Sequence, residues 1–580
     1  MSNSAADATE VATLEATSAV PTSSGVVAVP GGLVPEGLAR KLGRHIAGLT
    51  DGQVALLISA ALFIVGAWPL ALTEVPPYQD LPNHLAATTV IQHPELYPEF
   101  TFNGFFKTNT ALFAWLVVVG RLVGVTLAAR LFTLLVLAAN ALTIPRFVLA
   151  LTGSKRKMIV AGFFAWPMIH NWFVSMGMLD FALGVPLSLC VLMALDRHRQ
   201  TPTITNGLVV TALGFITWYA HVFPLLVVMF LIGVHALVRS SWKERFASLK
   251  TLGWPLAPVS SLVVFSVAQH LRDTTGSMSS LMRNTKLVAP WELAYNLWAQ
   301  WFWSFTKLSM STLVPCILLG VFGFWSMIRR RDVSPPFFST VAVAALLLLY
   351  LFVPYKTANW YHVNSRLIPF FFFGLLLRVP ERLPRRLLAV LGVSALLYSA
   401  AMGADFLRLE KDRERFTAGI SYVPERARLL PLLFKHKGVS DNTRSLIHAW
   451  GFYVVEKQTS APLLFAHSRS FPVMYSTPPP PRFNHVILES FPTDMTHAGK
   501  ICEAMAPVML DDCNAEYRAR WAEFWRDATP KFDHLLLWAA PPQALAEVPP
   551  DYAVVFRQGD LVIMQRKDYV SKNTAFGPRP

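Results

Sequence analysis

The chain has 580 residues, 53% of them hydrophobic and 15% charged, with 51 Lys and Arg against 36 Asp and Glu for a formal net charge of +15. A soluble globular protein carries about 25% charged residues, so the deficit points away from water as the only solvent. The excess positive charge sits in short clusters between apolar runs, which is how basic loops orient membrane spans and excludes the single basic face of a nucleic-acid binder.

Residues 1–39 hold no Lys or Arg and are rich in Ala, Ser, Thr, Val and Pro, a composition that builds no core. Residues 1–50 therefore read as a disordered cytoplasmic tail without the basic start of a secretory signal. Arg40, Lys41 and Arg44 precede the first apolar run, 54–72. A long external loop, 75–130, follows. Within it 111–123 is too short to span and reads as a surface helix. Further runs of spanning character are 131–151, 158–172, 178–195, 208–221, 222–238, 252–268, 308–328, 337–353, 367–377 with its flanks, and 387–402. Threading them in order puts Lys155-Arg156-Lys157, 197–199, 239–250, Arg329-Arg330-Arg331 and 378–386 on one side. The part after the last span falls on the other. The fold class is thus an α-helical polytopic membrane protein of about eleven spans, 51–404, with a C-terminal extracytoplasmic α/β domain, 405–580.

In that tail, 444–455, 482–489 and 531–540 hold short β-rich runs, and 552–566 reads as a hairpin around Arg557-Gln558-Gly559-Asp560. Residues 498–527 are helical in pattern. Of four cysteines, Cys190 and Cys316 lie in apolar runs and read as core thiols. Cys502 and Cys513 either pair, if the tail meets an oxidising compartment, or remain two thiols.

Ionisable groups beside membrane spans are expensive and default to functional candidates. On the external side the sequence places Asp80 and His84 directly after the first span, four apart and so on one face of a helix. His170, Asn171 and Asp180 flank the next external turn, and His221 the one after. Lys356, Tyr361, His362 and Arg366 gather at the mouth of a late span. Acids, imidazoles and cations on one rim suit chemistry on a phosphorylated lipid. A carboxylate takes a proton from an attacking hydroxyl or helps hold a metal, and Arg or Lys meets charge developing on a departing phosphate. The structural alternative stands beside each: a lone histidine at a helix end is an ordinary interfacial residue, and Arg366 heading an apolar run is an ordinary snorkelling anchor.

The Pro-x-x-x-Asp-x-Pro-x-His run from Pro76 to His84 resembles bacterial members of the GT-C glycosyltransferase superfamily. So do the long first external loop with its surface helix, Arg130-Leu131 at the next span, the late Arg-x-x-Pro of Arg366 to Pro369, and a soluble domain after the last span. The resemblance implies a membrane enzyme that moves a sugar from a polyprenyl-phosphate donor to an extracytoplasmic glycan, lipid or protein acceptor. It implies Asp80 as catalytic base or metal-associated carboxylate, with His84 beside it. Arg366 matches the residue that contacts donor phosphate. Many GT-C enzymes carry two acids in this loop, whereas Asp80 stands alone; a second carboxylate would come from Glu95, Glu99 or Asp180, and a divalent metal is left open. His170, Asp180, His221, Lys356, Tyr361 and His362 are the further substrate-binding candidates. The chain shows no Asp-x-Asp of nucleotide-sugar enzymes and no P-loop. A transporter or flippase of lipid-linked sugars, or a non-catalytic scaffold, is the competing reading, and the first of these needs charges at mid-membrane depth.

Overall fold

The computed structural model describes residues 48–275, 285–289, 291–293, 304–329, 335–357, 360–466, 471–504 and 507–569. The expected tail at 1–47 lies outside them, as do Arg330 and Arg331. Among the described residues, seven helices are long and apolar enough to cross a membrane: Asp51–Leu72, Val125–Thr152, Lys155–Ser175, Leu179–Gln200, Trp242–Gln269, Lys307–Arg329 and Arg385–Tyr422. Each has at least the roughly 20 residues that a 30 Å hydrocarbon core demands at 1.5 Å per residue. Ala111–Val123, Ile204–Ala220, Val222–Leu237, Thr340–Phe352 and Ser365–Leu376 are shorter apolar helices.

Side-chain contacts bring four of the five basic clusters to one end of this bundle. Lys155 Nζ lies 3.6 Å from Asp51 at the start of the first span, and Ser154 Oγ donates to Glu381 at 2.6 Å. Arg378 donates to the carbonyls of Gly374 and Phe338. The His235 ring meets that of Phe337 and is within electrostatic reach of Arg199 and Arg239. The far ends of the same helices carry the other set of contacts. Arg130 donates to the Leu70 carbonyl at 2.6 Å, and Arg413 pairs with Glu74 at 2.7 Å.

At that second end the first external loop and the tail share one core. The loop supplies α1 (Leu81–Gln92), β1 (Phe100–Phe102) and the surface helix α2 (Ala111–Val123). A 33-residue helix, α3 (Arg385–Thr417), runs unbroken from the bundle into the tail, so position 404 falls inside it. The tail adds β4 (Leu429–Leu433), α4 (Gly451–Lys457) and β5 (Val473–Tyr475). It continues with α5 (His485–Glu503), α6 (Pro507–Ala528), β6 (His534–Trp538), β7 (Tyr552–Gln558) and β8 (Leu561–Arg566). Between the loop and the tail in sequence lies a small hairpin, β2 (Lys356–Thr357) with β3 (Trp360–Tyr361).

The four-stranded sheet has order β4-β6-β8-β7, with β4 parallel to β6 and the other pairs antiparallel. The β6 strand and the β7–β8 hairpin fall where the residue pattern puts them. β4 is not apparent in the sequence, because Leu-Leu-Pro-Leu-Leu reads against a strand; proline is admitted at a sheet edge, and β4 is an edge strand. Two expected strands are helical. Asn484 accepts from Val486 N and so caps α5, which overrides the β preference of Val486 and Ile487. The 444–455 run is turns leading into α4. Cys502 and Cys513 form a disulfide, settling the open pairing.

β1 pairs antiparallel with β5, Phe100 opposite Tyr475. Ala86, Ala87, Val90, Tyr97 and Phe113 of the loop are buried in the same cluster as Leu430, Trp450 and Trp521 of the tail. Burial of this kind contributes about 25 cal/mol per Å² of apolar surface. That term, rather than the short strand pair, fixes loop against tail.

Candidate active site

Asp80 occupies the N-cap position of α1, where an aspartate ordinarily accepts from the second or third backbone N–H of the helix. Here Pro82 sits in the first turn and the Asp80 side chain makes no capping bond. The carboxylate is turned to the tail instead. Its Oδ1 lies 3.3 Å from His448 Nε2 and accepts from Gln79 Nε2 at 3.2 Å. Burial alone raises the Asp80 pKa. The hydrogen bond and charge of His448, helped by His84 and Gln79, outweigh it and hold the carboxyl below the ordinary aspartate value. The N-terminal end of α1 favours the same ionised form.

The loop that carries Asp80 is pinned by its backbone. Gln79 N donates to the Ser175 carbonyl and Asp80 N to that of Met176, both at 3.1 Å. Gly177 makes this approach possible: its φ is +82°, and a Cβ there would stand 3.0 Å from Asp80 N. Gln79 Oε1 accepts from Arg444 N at 2.8 Å, tying the same loop to the tail. Asn83 Nδ2 donates to the Leu463 carbonyl at 3.1 Å.

His84 follows one turn later with its ring against Phe113, Phe465 and Phe471. Burial lowers its pKa to about 4 against the opposing pull of Asp80, so it is neutral at pH 7. His448 is 3% exposed, and its ring lies edge-on to Phe465 at 4.8 Å. Its second nitrogen, Nδ1, is 3.3 Å from Glu489 Oε1 on α5. Burial raises the Glu489 pKa, with Asp80 adding to the rise and His448 and Arg444 opposing it.

His362 links this group to the late-span candidates. Its half-buried ring packs on Trp172 and Tyr355, whose hydroxyl is 3.2 Å from Nε2. Burial and then Arg366 and Arg444 lower its pKa to about 3, against the pull of Asp80. Asp80, Arg366 and Arg444 thus all lie within electrostatic reach of one imidazole. The Arg366 guanidinium carbon is 5.7 Å and 5.9 Å from the ring centres of Phe181 and Phe223. Its buried Nε makes no hydrogen bond among the described residues. Next to His362 in the hairpin, Lys356 Nζ stands 4.6 Å over the Tyr361 ring.

The remaining candidates fall elsewhere. His170 is fully buried, held by the Tyr78 hydroxyl at 3.1 Å and packed on Phe305 and Phe406. Asp180 Oδ1 accepts from Leu112 N at 2.8 Å, tying its helix to the start of α2. His221 Nδ1 accepts from Phe223 N and caps a helix, though it lies within electrostatic reach of Arg366. None of the contacts of His170, Asp180 or His221 reaches Asp80. Glu95 faces His93 at 3.6 Å and Glu99 is set beside Tyr97 and Tyr475. The second carboxylate near Asp80 is therefore Glu489, and with His448 it is what the sequence reading missed. A histidine in Ile447-His448-Ala449-Trp450 carries no local mark of function.

Among the described residues no group of three or more His, Cys, Asp or Glu side chains is placed to hold a metal ion.

Gly451, three residues after His448, opens α4 against the first turn of α1. A Cβ there would meet the Pro82 carbonyl oxygen at 2.2 Å, a backbone atom that can yield only by moving α1. Gly451→Ala is expected to cost about 1–3 kcal/mol of stability by overpacking and to displace Asp80 from His448. Gly499→Ala, which meets only the Tyr517 ring at 3.5 Å, is the control that keeps its melting temperature. Equal melting temperatures for the two variants would show that the contact between α1 and α4 is slack.

Fold and site together define a multi-pass helical membrane protein whose first inter-span loop and C-terminal tail meet at a half-buried acid–imidazole–cation cluster. No family model matches the chain, and no curated protein matches it. Among solved structures it is similar to ArnT from Cupriavidus metallidurans bound to undecaprenyl phosphate, at 11% identity over 90% of this chain and 99% of that one, with a TM-score of 0.47. A likeness of that degree assigns no residue.

Proposed function

We propose that the chain is a membrane glycosyltransferase that moves a sugar from a polyprenyl-phosphate donor to a hydroxyl acceptor outside the cytoplasm. The supporting observation is that one imidazole, His362, lies within electrostatic reach both of Asp80, ionised and spared from capping its own helix, and of Arg366, half-buried, whose buried Nε has no partner among the described residues. In this reading Asp80 takes the acceptor proton as the acceptor oxygen bonds to the sugar. The sugar–phosphate bond breaks with its electron pair passing to phosphate oxygen, and Arg366 meets that charge. His362, neutral at pH 7, and Tyr361 with Lys356 line the donor side, and His84 lies beside the base. His170, Asp180 and His221 serve at one remove: His170 holds Tyr78, Asp180 ties its helix to α2, and His221 caps the helix whose Phe223 faces Arg366.

The reading includes sidedness. It takes the seven long helices with Ile204–Ala220, Val222–Leu237, Thr340–Phe352 and Ser365–Leu376, the last two lengthened by their apolar flanks, as eleven crossings, and α2 as a helix along the surface. The basic end is then cytoplasmic, and the tail from residue 405 is extracytoplasmic at a bacterial inner membrane, where the Cys502–Cys513 disulfide is at home. The charges gather at one end of the bundle rather than at mid-depth, which favours chemistry at a surface over alternating access.

Purified protein in lipid nanodiscs, offered a panel of polyprenyl-phosphate sugars with envelope glycan and lipid acceptors, is expected to release polyprenyl phosphate. Consumption of none of the panel would count against the assignment.

A further inference from the structure

Among the described residues, His448 is the imidazole at this site whose two nitrogens both face carboxylates. Nε2 is 3.3 Å from Asp80 Oδ1 and Nδ1 is 3.3 Å from Glu489 Oε1. The second contact is poorly aligned, since neither Nδ1 nor Glu489 Oε1 makes a hydrogen bond among the described residues. For a purely structural role this is an expensive arrangement. It sets two half-buried acids on one buried ring, where a neutral side chain of similar size would pack against Phe465 with no desolvation cost. The arrangement acts on one oxygen. Both His448 and Gln79 engage Oδ1 of Asp80, while no contact engages Oδ2 among the described residues. Nε2 facing Oδ1 at 3.3 Å sets the Asp80 rotamer and leaves Oδ2 over.

We propose that His448, a residue supplied by the tail and flanked at its other nitrogen by Glu489, is a positioning residue that fixes Asp80 by its Oδ1 so that Oδ2 is presented to the acceptor hydroxyl. The soluble tail is then a working part of the active site, in addition to any acceptor it binds. This rests on the transferase reading for the word acceptor, but the hold of His448 on Asp80 does not. The charged and titratable groups around the ring are Asp80 and His84 from the loop, Glu489 from α5, and His436 and Arg444 from its own segment. His448 is the group that draws Asp80 below the ordinary range, so its removal is expected to let the Asp80 pKa rise.

The test is carbodiimide labelling, which modifies protonated carboxyls, read at Asp80 by peptide mass spectrometry between pH 4 and pH 8. It is applied to full-length wild type, His448→Phe, His448→Gln and Glu489→Gln in nanodiscs. In wild type Asp80 is expected to resist labelling throughout the neutral range. In His448→Phe the labelling midpoint is expected to move up by about one pH unit or more, the scale of losing one charged hydrogen-bond partner. His448→Gln, whose amide still donates, is expected to restore part of the protection, and Glu489→Gln to fall between. With a donor that wild type consumes, His448→Phe is expected to lower kcat roughly 10- to 100-fold, the range seen for groups that orient a reacting side chain, with KM for the donor unchanged. An Asp80 profile identical in wild type and the folded His448 variants overturns the proposal. So does equal loss in the Phe and Gln variants, which marks a packing role. Absence of donor consumption in wild type with the labelling shift intact would sink the transferase reading alone.

Discussion

Asp80→Asn is expected to lower donor consumption roughly 10²- to 10⁴-fold, the usual contribution of a positioned proton acceptor, in protein that inserts, folds and binds donor as wild type does. The choice of asparagine makes the result decisive. If Asp80 were present to cap α1, asparagine would serve equally well, because the two rank together as caps. The amide oxygen of the substituted side chain can still accept from His448 Nε2 and from Gln79, so the loop–tail contact survives the change. What disappears is the negative charge and the capacity to take a proton. Release of polyprenyl phosphate near the wild-type rate would therefore remove Asp80 from the chemistry. A loss expressed wholly in donor KM would move it to a binding role.

The parts of this architecture that are legible in the sequence are those written locally. Hydropathy over about 20 residues reports a span because each backbone group of a helix is satisfied within the segment. The N-terminal ends of Asp51–Leu72 and Lys155–Ser175 meet, Lys155 beside Asp51, as the parity fixed by the clusters between runs expects. Asp80 and His84 stand out through their spacing after a proline-bounded exit from the membrane. The tail is harder to read. β4 is disguised by Pro431, tolerated because it lies at the edge, and α5 is disguised by Val486 and Ile487, which its cap at Asn484 overrides. His448 and Glu489 are illegible for a different reason. Their meaning lies in a contact with a loop from the other end of the chain, produced by burial of α1 and α4 against each other. Gly177 and Gly451 are the nearest things to a trace, since both are small where two backbones must touch. A sequence alone does not say which glycines those are.

Arg366→Gln is the second large effect expected, and its sign in stability carries as much information as its sign in activity. Donor consumption should fall roughly 10²- to 10³-fold, the loss associated with removing one preorganised donor from a developing oxyanion. Arg366→Lys should recover little, because an ammonium keeps the charge but loses the planar fork that fits phosphate. A structural arginine would announce itself differently. Cutting one partner from a buried ion pair typically costs about 3–5 kcal/mol, because the other charge is stranded. Arg366 has no anionic partner among the described residues, only the faces of Phe181 and Phe223. Those faces contribute about 0.5–2 kcal/mol at most, against the desolvation of a cation whose Nε is left unmade. The melting temperature of Arg366→Gln without ligand should therefore match or exceed that of wild type. Added polyprenyl phosphate separates the alternatives further. A ligand that binds only the folded protein raises its melting temperature with concentration, so wild type should be stabilised and Arg366→Gln should not. A variant that unfolds early yet still shifts with polyprenyl phosphate would place the phosphate elsewhere, and Arg366 would return to being an anchor at the membrane edge.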